Sequence, residues 1–197
     1  MSGRAAADMT LGDVVTDNAV RFSDVVAYRL GDRTVTHAQL RDRAARLVSA
    51  MAAAGVRRQD RIAVLSRNSI EFGELHAAIQ LSGIIMATIN FRLSPPEMGD
   101  VLRRVRPSIV FCADEFAAVI AQLAADLPYS PVLVAIGGEP RAGTLGYERF
   151  IEGGRGASPT SSPGPTTSRT CCSPAAPPAL PNAASSASAR CVTWHSQ

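Results

Sequence analysis

Three histidines and four cysteines are the side chains best suited to proton transfer, nucleophilic attack or metal binding in this 197-residue chain. His76 falls in the middle of a helical pattern with no acid placed to orient it, so it reads as a surface or half-buried helix residue rather than a base. His37 stands in a helix-capping turn and His195 close to the last residue, and no Ser-His-Asp or Cys-His arrangement can be drawn from them. Cys171, Cys172 and Cys191 with His195 would make four ligands, but two adjacent cysteines followed by a long gap match no zinc spacing. Cys112 closes an apolar run, and no disulfide framework follows. Gly137-Gly138 comes after a strand pattern, yet the G-x-G-x-x-G order and its helix are missing, which rejects a dinucleotide loop. Arg103, Arg104 and Arg106 gather at a helix end, where cations complement the dipole, and read as solvated. These patterns assign no catalytic, cofactor-binding or metal-binding residue.

The elements that would position such groups are legible. Residues 60–112 alternate short apolar runs with amphipathic segments, the pattern of βαβ units on a parallel sheet. Runs 61–65, 84–89 and 108–111 are apolar and β-branched enough to be strands buried between two helical layers, and 132–136 is a further strand. Upstream, 10–22 has helical spacing that puts Leu11, Val14, Val15, Ala19 and Phe22 on one inward face. A strand over 25–30 turns at Gly31-Asp32 into Thr34-Val35. Thr36-His37-Ala38-Gln39 is a capping box that opens a helix to residue 54, with Leu40, Ala44, Leu47 and Met51 inward, Arg41, Asp42, Arg43 and Arg46 facing water, and Gly55 as its stop. Further helices are expected over 70–81, ended by Gly83, and over 115–126. Ser94-Pro95-Pro96-Glu97 opens another: a serine N-cap, proline at the first helical position, and glutamate three residues after the serine.

Composition narrows the class. Hydrophobic residues make up 46% of the chain with no apolar run of membrane-spanning length, and the first residues lack a secretory pattern, so a soluble, cytoplasmic protein is expected. All twenty basic residues are arginine. Residues 1–152 are electrically neutral, and the net charge of +3 comes from Arg155, Arg169 and Arg190. These three are scattered and lack aromatic neighbours, so no nucleic-acid partner is implied.

Within this frame Ile62-Ala63-Val64-Leu65, Glu71-Phe72 and above all Asn90-Phe91-Arg92-Leu93-Ser94-Pro95-Pro96-Glu97, with the Val110-Phe111 strand beyond, resemble the N-terminal portion of adenylate-forming acyl-CoA synthetases, the AMP-binding ligases. The resemblance spans about residues 10–152. It implies an α/β fold, a partial doubly wound and mostly parallel sheet flanked by helices, as the N-terminal portion (1–152) of the AMP-binding large domain. Asn90 and Arg92 match the family's Asn-x-Arg loop and are read as structural, tying the strand to its neighbours.

From Gly153 the composition changes to Ser, Pro, Ala, Thr and Gly without acids, and 153–197 reads as a low-complexity, disordered tail. The family carries an Asp pair and a phosphate loop of the form T-S-G-T-T-G-x-P-K near this point, and neither occurs as written. Codons shifted to start on the third base of each residue permit Asp-Asp-x-Ala-Tyr across 165–170 and Thr-Ser-Gly-Thr-Thr-Gly across 173–179. This suggests a frame change between about Gly153 and Gly164.

The expectation is therefore a truncated acyl-CoA synthetase of the fatty acid type, inactive alone. Its parent family uses ATP, Mg2+ and CoA to convert a small-molecule carboxylate into an acyl adenylate and then a thioester. No cofactor is expected for this chain itself. Aryl-CoA ligases, luciferase-like enzymes and peptide-synthetase adenylation domains share the region. The alternative is a non-catalytic interaction fragment that self-associates or aggregates through exposed core.

Overall fold

A computed structural model describes residues 9–138 and 143–153. The tail residues Cys171, Cys172, Cys191 and His195, and the proposed frame change, lie outside the described residues. The first helix, α1 (Leu11–Arg21), starts at Thr10, whose hydroxyl accepts from the Asp13 amide while the Asp13 carboxylate accepts from the Thr10 amide. Its inward face is not the one the apolar spacing predicts. Leu11 is 67% exposed, Val14 and Phe22 are exposed too, and the buried position is Gly12. A Cβ on Gly12 would lie 2.7 Å from the Gln80 carbonyl oxygen, so the helix is docked by backbone approach at its small residue.

Strands β1 (Val26–Leu30) and β2 (Arg33–Thr36) pair antiparallel across Gly31-Asp32. The hairpin rests on the next layer through Tyr28, whose ring would lie 2.7 Å from a Cβ on Gly73. Helix α2 (His37–Ala53) opens with the expected capping box between Thr36 and Gln39. Leu40, Ala44, Leu47 and Met51 are its buried stripe. Leu47 and Met51 are fully buried, a burial worth about 1.5–3 kcal/mol for each side chain.

The main sheet follows: β3 (Arg61–Leu65), α3 (Ile70–Ser82), β4 (Ile85–Thr88), α4 (Pro95–Val105), β5 (Ile109–Ala113), α5 (Asp114–Ala125), β6 (Val132–Ile136), β7 (Leu145–Gly146) and α6 (Tyr147–Gly153). Its five strands are parallel and lie in the order β4-β3-β5-β6-β7. Strand alternation divides the interior. Ile62, Val64, Ile109, Phe111 and Val134 face the layer of α2, α3 and α6, whereas Ala63, Leu65, Val110 and Cys112 face α4 and α5. This is the doubly wound α/β arrangement expected.

Strand β4 departs from the expectation of burial on both faces. It occupies an edge, and Ile85 is 41% exposed; the flanking Ile84 and Ile89 are the buried residues. Apolar composition alone does not distinguish an edge strand from a central one. Helix α4 begins as read, with the Glu97 carboxylate accepting from the Ser94 amide and hydroxyl and Pro95 in the first turn. Neither β7 nor α6 was expected. Among the described residues no helix is long and apolar enough to cross a membrane.

Candidate functional site at the strand ends

In a sheet of this order, β3 is followed by β4 on one side and, after a return crossover, by β5 on the other. The chain reverses direction across the sheet between β3 and β5, and a crevice at the carboxyl ends of such strands is where open α/β sheets bind ligands. Here the crevice is bridged by a side-chain pair: Arg67, just beyond β3, donates from Nε to Glu115 Oε1 at 2.9 Å. Both residues are exposed, so the pair adds little stability. The Arg67 guanidinium also lies 4.7 Å from the centre of the Phe91 ring, which stacks on Phe116 at 6.5 Å.

Asn90 and Arg92 join this rim from the loop after β4. The Asn90 Oδ1 accepts from the Arg92 amide at 3.0 Å, an Asx turn that shapes the loop, and the Arg92 guanidinium lies 5.7 Å from the Phe91 ring. The sequence pattern therefore named two loop residues of the rim but not Arg67 or Glu115. Those two sit forty-eight positions apart, and only the return crossover brings them together.

The other candidates stay apart. His76 packs its ring 5.2 Å from Phe72 on α3, and His37 lies 6.5 Å from Phe22. Gly137 and Gly138 follow β6 with φ of +74° and +66°, and a Cβ on Gly138 would strike Asp114 at 2.7 Å. They form a tight turn against the start of α5. Arg103 pairs with Asp100 within its helix, and Arg106 lies 5.5 Å from the Tyr129 ring. Among the described residues no group of three His, Cys, Asp or Glu could hold a metal ion. Burial pushes the Cys112 thiol up to about 11, with the Asp114 charge adding to the effect, so it is not a poised nucleophile.

A second polar cluster lies under α6. Glu74, 1% exposed, accepts from Arg43 Nε and from the Tyr147 hydroxyl, the latter at 2.8 Å. Arg43 also grips Glu148 with two nitrogens, at 2.6 and 3.1 Å. The Glu148 hydrogen bonds lead in raising the guanidinium above its ordinary value against the cost of burial, and Glu74 contributes as well. Burial, then the Glu74 charge, drives the Tyr147 phenol well above its usual value. Nearby, burial pushes Glu71 up, but the Arg33 guanidinium at 2.6 Å and backbone donation outweigh it and hold the carboxyl below the usual range. Arg43 thus does not simply face water as its helix position implies. The one sequence signal was a carboxylate, Glu74, lying within an otherwise buried helical stripe.

The sequence model of the AMP-binding enzyme family matches residues 15–166. Over 115 residues the chain is 31% identical to a 4-hydroxybenzoate–CoA/benzoate–CoA ligase of Rhodopseudomonas palustris, covering 58% of this chain and 21% of the relative. A fatty acid–[acyl-carrier-protein] ligase of Streptomyces coeruleorubidus is 32% identical over 105 residues, which is 53% of this chain and 20% of that one. Among solved structures, the anthranilate CoA ligase AuaEII in complex with anthranoyl-AMP superimposes with a TM-score of 0.70 at 27% identity, over 76% of this chain and 30% of that chain. The chain therefore spans about a fifth of the length of these two relatives. Together with the parallel sheet and its flanking helices, the match over 15–166 places the chain in the AMP-binding enzyme family.

Proposed function

We propose that residues 1–152 are the N-terminal portion of the large domain of an acyl-CoA synthetase, whose intact form activates a carboxylic acid. In that reaction a carboxylate oxygen attacks the α-phosphorus of ATP, pyrophosphate leaves, and the thiol of CoA then displaces AMP from the acyl carbon. The observation that carries the reading is the family match over 15–166 on a sheet of the expected topology. A fatty acid is the first substrate class, and an aromatic acid the rival, since the relatives' names include both. ATP, Mg2+ and CoA belong to the intact enzyme. The described residues offer no metal-ligating group of three, so no step through magnesium is drawn on them.

The 197 residues as written contain no lysine and no T-S-G-T-T-G run, so the chain alone is inactive, with a frame change between about Gly153 and Gly164 as the cause. On this reading 153–197 is a frame-shifted low-complexity tail, and no catalytic, cofactor or metal residue resides in the chain. Resequencing genomic DNA from codon 150 past codon 197 tests it. An alternative frame that spells the phosphate loop and stays open supports the reading, and a frame that closes at once overturns it. In parallel, pyrophosphate release with ATP, magnesium and a panel of fatty and aromatic acids should be absent; steady turnover by this chain would sink the claim of inactivity.

A second reading, an interaction fragment, is favoured by the exposed Leu11, Val20, Phe22, Val25 and Leu30 of the N-terminal helix and hairpin. Light scattering after size exclusion separates the two. A discrete oligomer supports the interaction reading, and a monomer or polydisperse aggregate opposes it.

A further inference from the structure

We propose that β7 and α6 form a strap that docks and undocks as one unit, with the tie from Glu74 to Tyr147, and from Arg43 to Glu148, setting the balance between the two states. The strand half of the strap is lightly held, whereas the apolar side chains of α6 are buried in the core. β7 pairs with β6 at only two positions, Leu145 with Val134 and Gly146 with Ala135, whereas β6 pairs with β5 along its whole length. Helix α6 has seven residues, too few to be stable by itself, and holds on through Tyr147, Phe150 and Ile151. The Tyr147 and Phe150 rings meet Phe111 edge-on, with centroids at 6.3 and 5.6 Å.

The polar tie makes release all-or-none. Tyr147 satisfies one Glu74 oxygen and Arg43 the other, so a strap that frays at Tyr147 leaves a buried carboxylate oxygen without a donor. Intermediate positions are penalised until water reaches Glu74. A cavity of about 490 Å³ beside it, walled by Arg43, Glu74, Ile70 and Glu148 and open to solvent, supplies that water once Tyr147 and Glu148 leave. Opening is then a cooperative local transition in which Phe111 of β5 loses its two ring contacts while β3 and β5 stay paired. The strap follows from the packing, whatever acid the intact protein activates.

Native-state hydrogen exchange on the full 197-residue chain at rising sub-denaturing urea tests this. Amides of 145–153 should exchange together, about tenfold or more faster than those of β3 and β5. Tyr147→Phe removes the donor but keeps the ring, and Glu148→Gln, at an exposed position, removes one of Arg43's two partner charges. Acceleration confined to 145–153 in at least one variant supports the strap. Exchange of 145–153 in step with β3 and β5 in the unaltered chain overturns it, as does uniform acceleration or no change in both variants.

Discussion

The Tyr147 hydroxyl lies 2.8 Å from Glu74 Oε2, joining a residue of the last described helix to one buried in α3, seventy-three positions earlier. Because Glu74 is almost wholly enclosed, that hydrogen bond and the Arg43 pair are what make its burial tolerable. Glu74→Ala would leave one face of Arg43 without its acceptor and Tyr147 with only the Glu71 carbonyl oxygen, at 3.4 Å. A loss of about 3 kcal/mol is expected, and Glu74→Gln, which keeps an acceptor, should lose less. Urea titrations with unchanged m-values check both; equal losses would mean that the carboxylate charge, which both variants remove, matters rather than the side chain's volume or its remaining acceptor.

The close approach of α1 to α3 sets a second expectation. Gly12→Ala gains about 1 kcal/mol of helix propensity, yet its methyl would sit 2.7 Å from the rigid Gln80 carbonyl. Moving α1 away should cost more than it gains, for a net loss of about 1–2 kcal/mol. A thermal midpoint equal to or above that of the unaltered chain would show that α1 shifts freely.

Glu97 offers a pH-dependent contribution with a definite sign. Hydrogen bonds from the Ser94 hydroxyl and amide hold its carboxyl below the usual carboxylate range. The folded state binds that proton less readily than the unfolded one, so the contribution is present above about pH 5 and fades as pH falls through the folded value. Glu97→Gln keeps the capping geometry without the titration and should flatten the acid limb of stability below about pH 5. An unchanged limb in denaturation curves taken across that range would remove Glu97 from the account.

Cys112, buried in β5 with its thiol pushed up to about 11, should resist iodoacetamide at pH 8 in the folded protein and become labelled only as the sheet opens. Peptide mapping of the labelled site separates it from the cysteines of the tail. Rapid labelling of Cys112 under native conditions would contradict its enclosure.

These features differ in how plainly the chain announces them. The α2 stripe, the two expected capping boxes and the extents of β3 and β6 are local: period, cap and turn chemistry decide them, and they were readable. The inward face of α1 was not, since Gly12 wins by permitting backbone approach to a residue nearly seventy positions away. Nor was the edge position of β4, because Ile85 and Met86 look like central-strand residues until the strand order is known. The same holds for the rim. The Asn90–Arg92 loop carries its own turn signal, whereas the Arg67–Glu115 bridge and the Arg43–Glu74–Tyr147 tie exist only once distant segments have been packed together.

The strand order also fixes a timetable. β3 lies between β4 and β5, both of which come later in the chain, so on the ribosome it lacks a complete set of neighbours until residue 113 has emerged. Until then the stripe of Leu40, Ala44, Leu47 and Met51 on α2 has no finished sheet beneath it. The nascent chain must carry that apolar surface from residue 51, where the stripe is complete, until residue 113 has emerged, the interval in which a chaperone has something to hold.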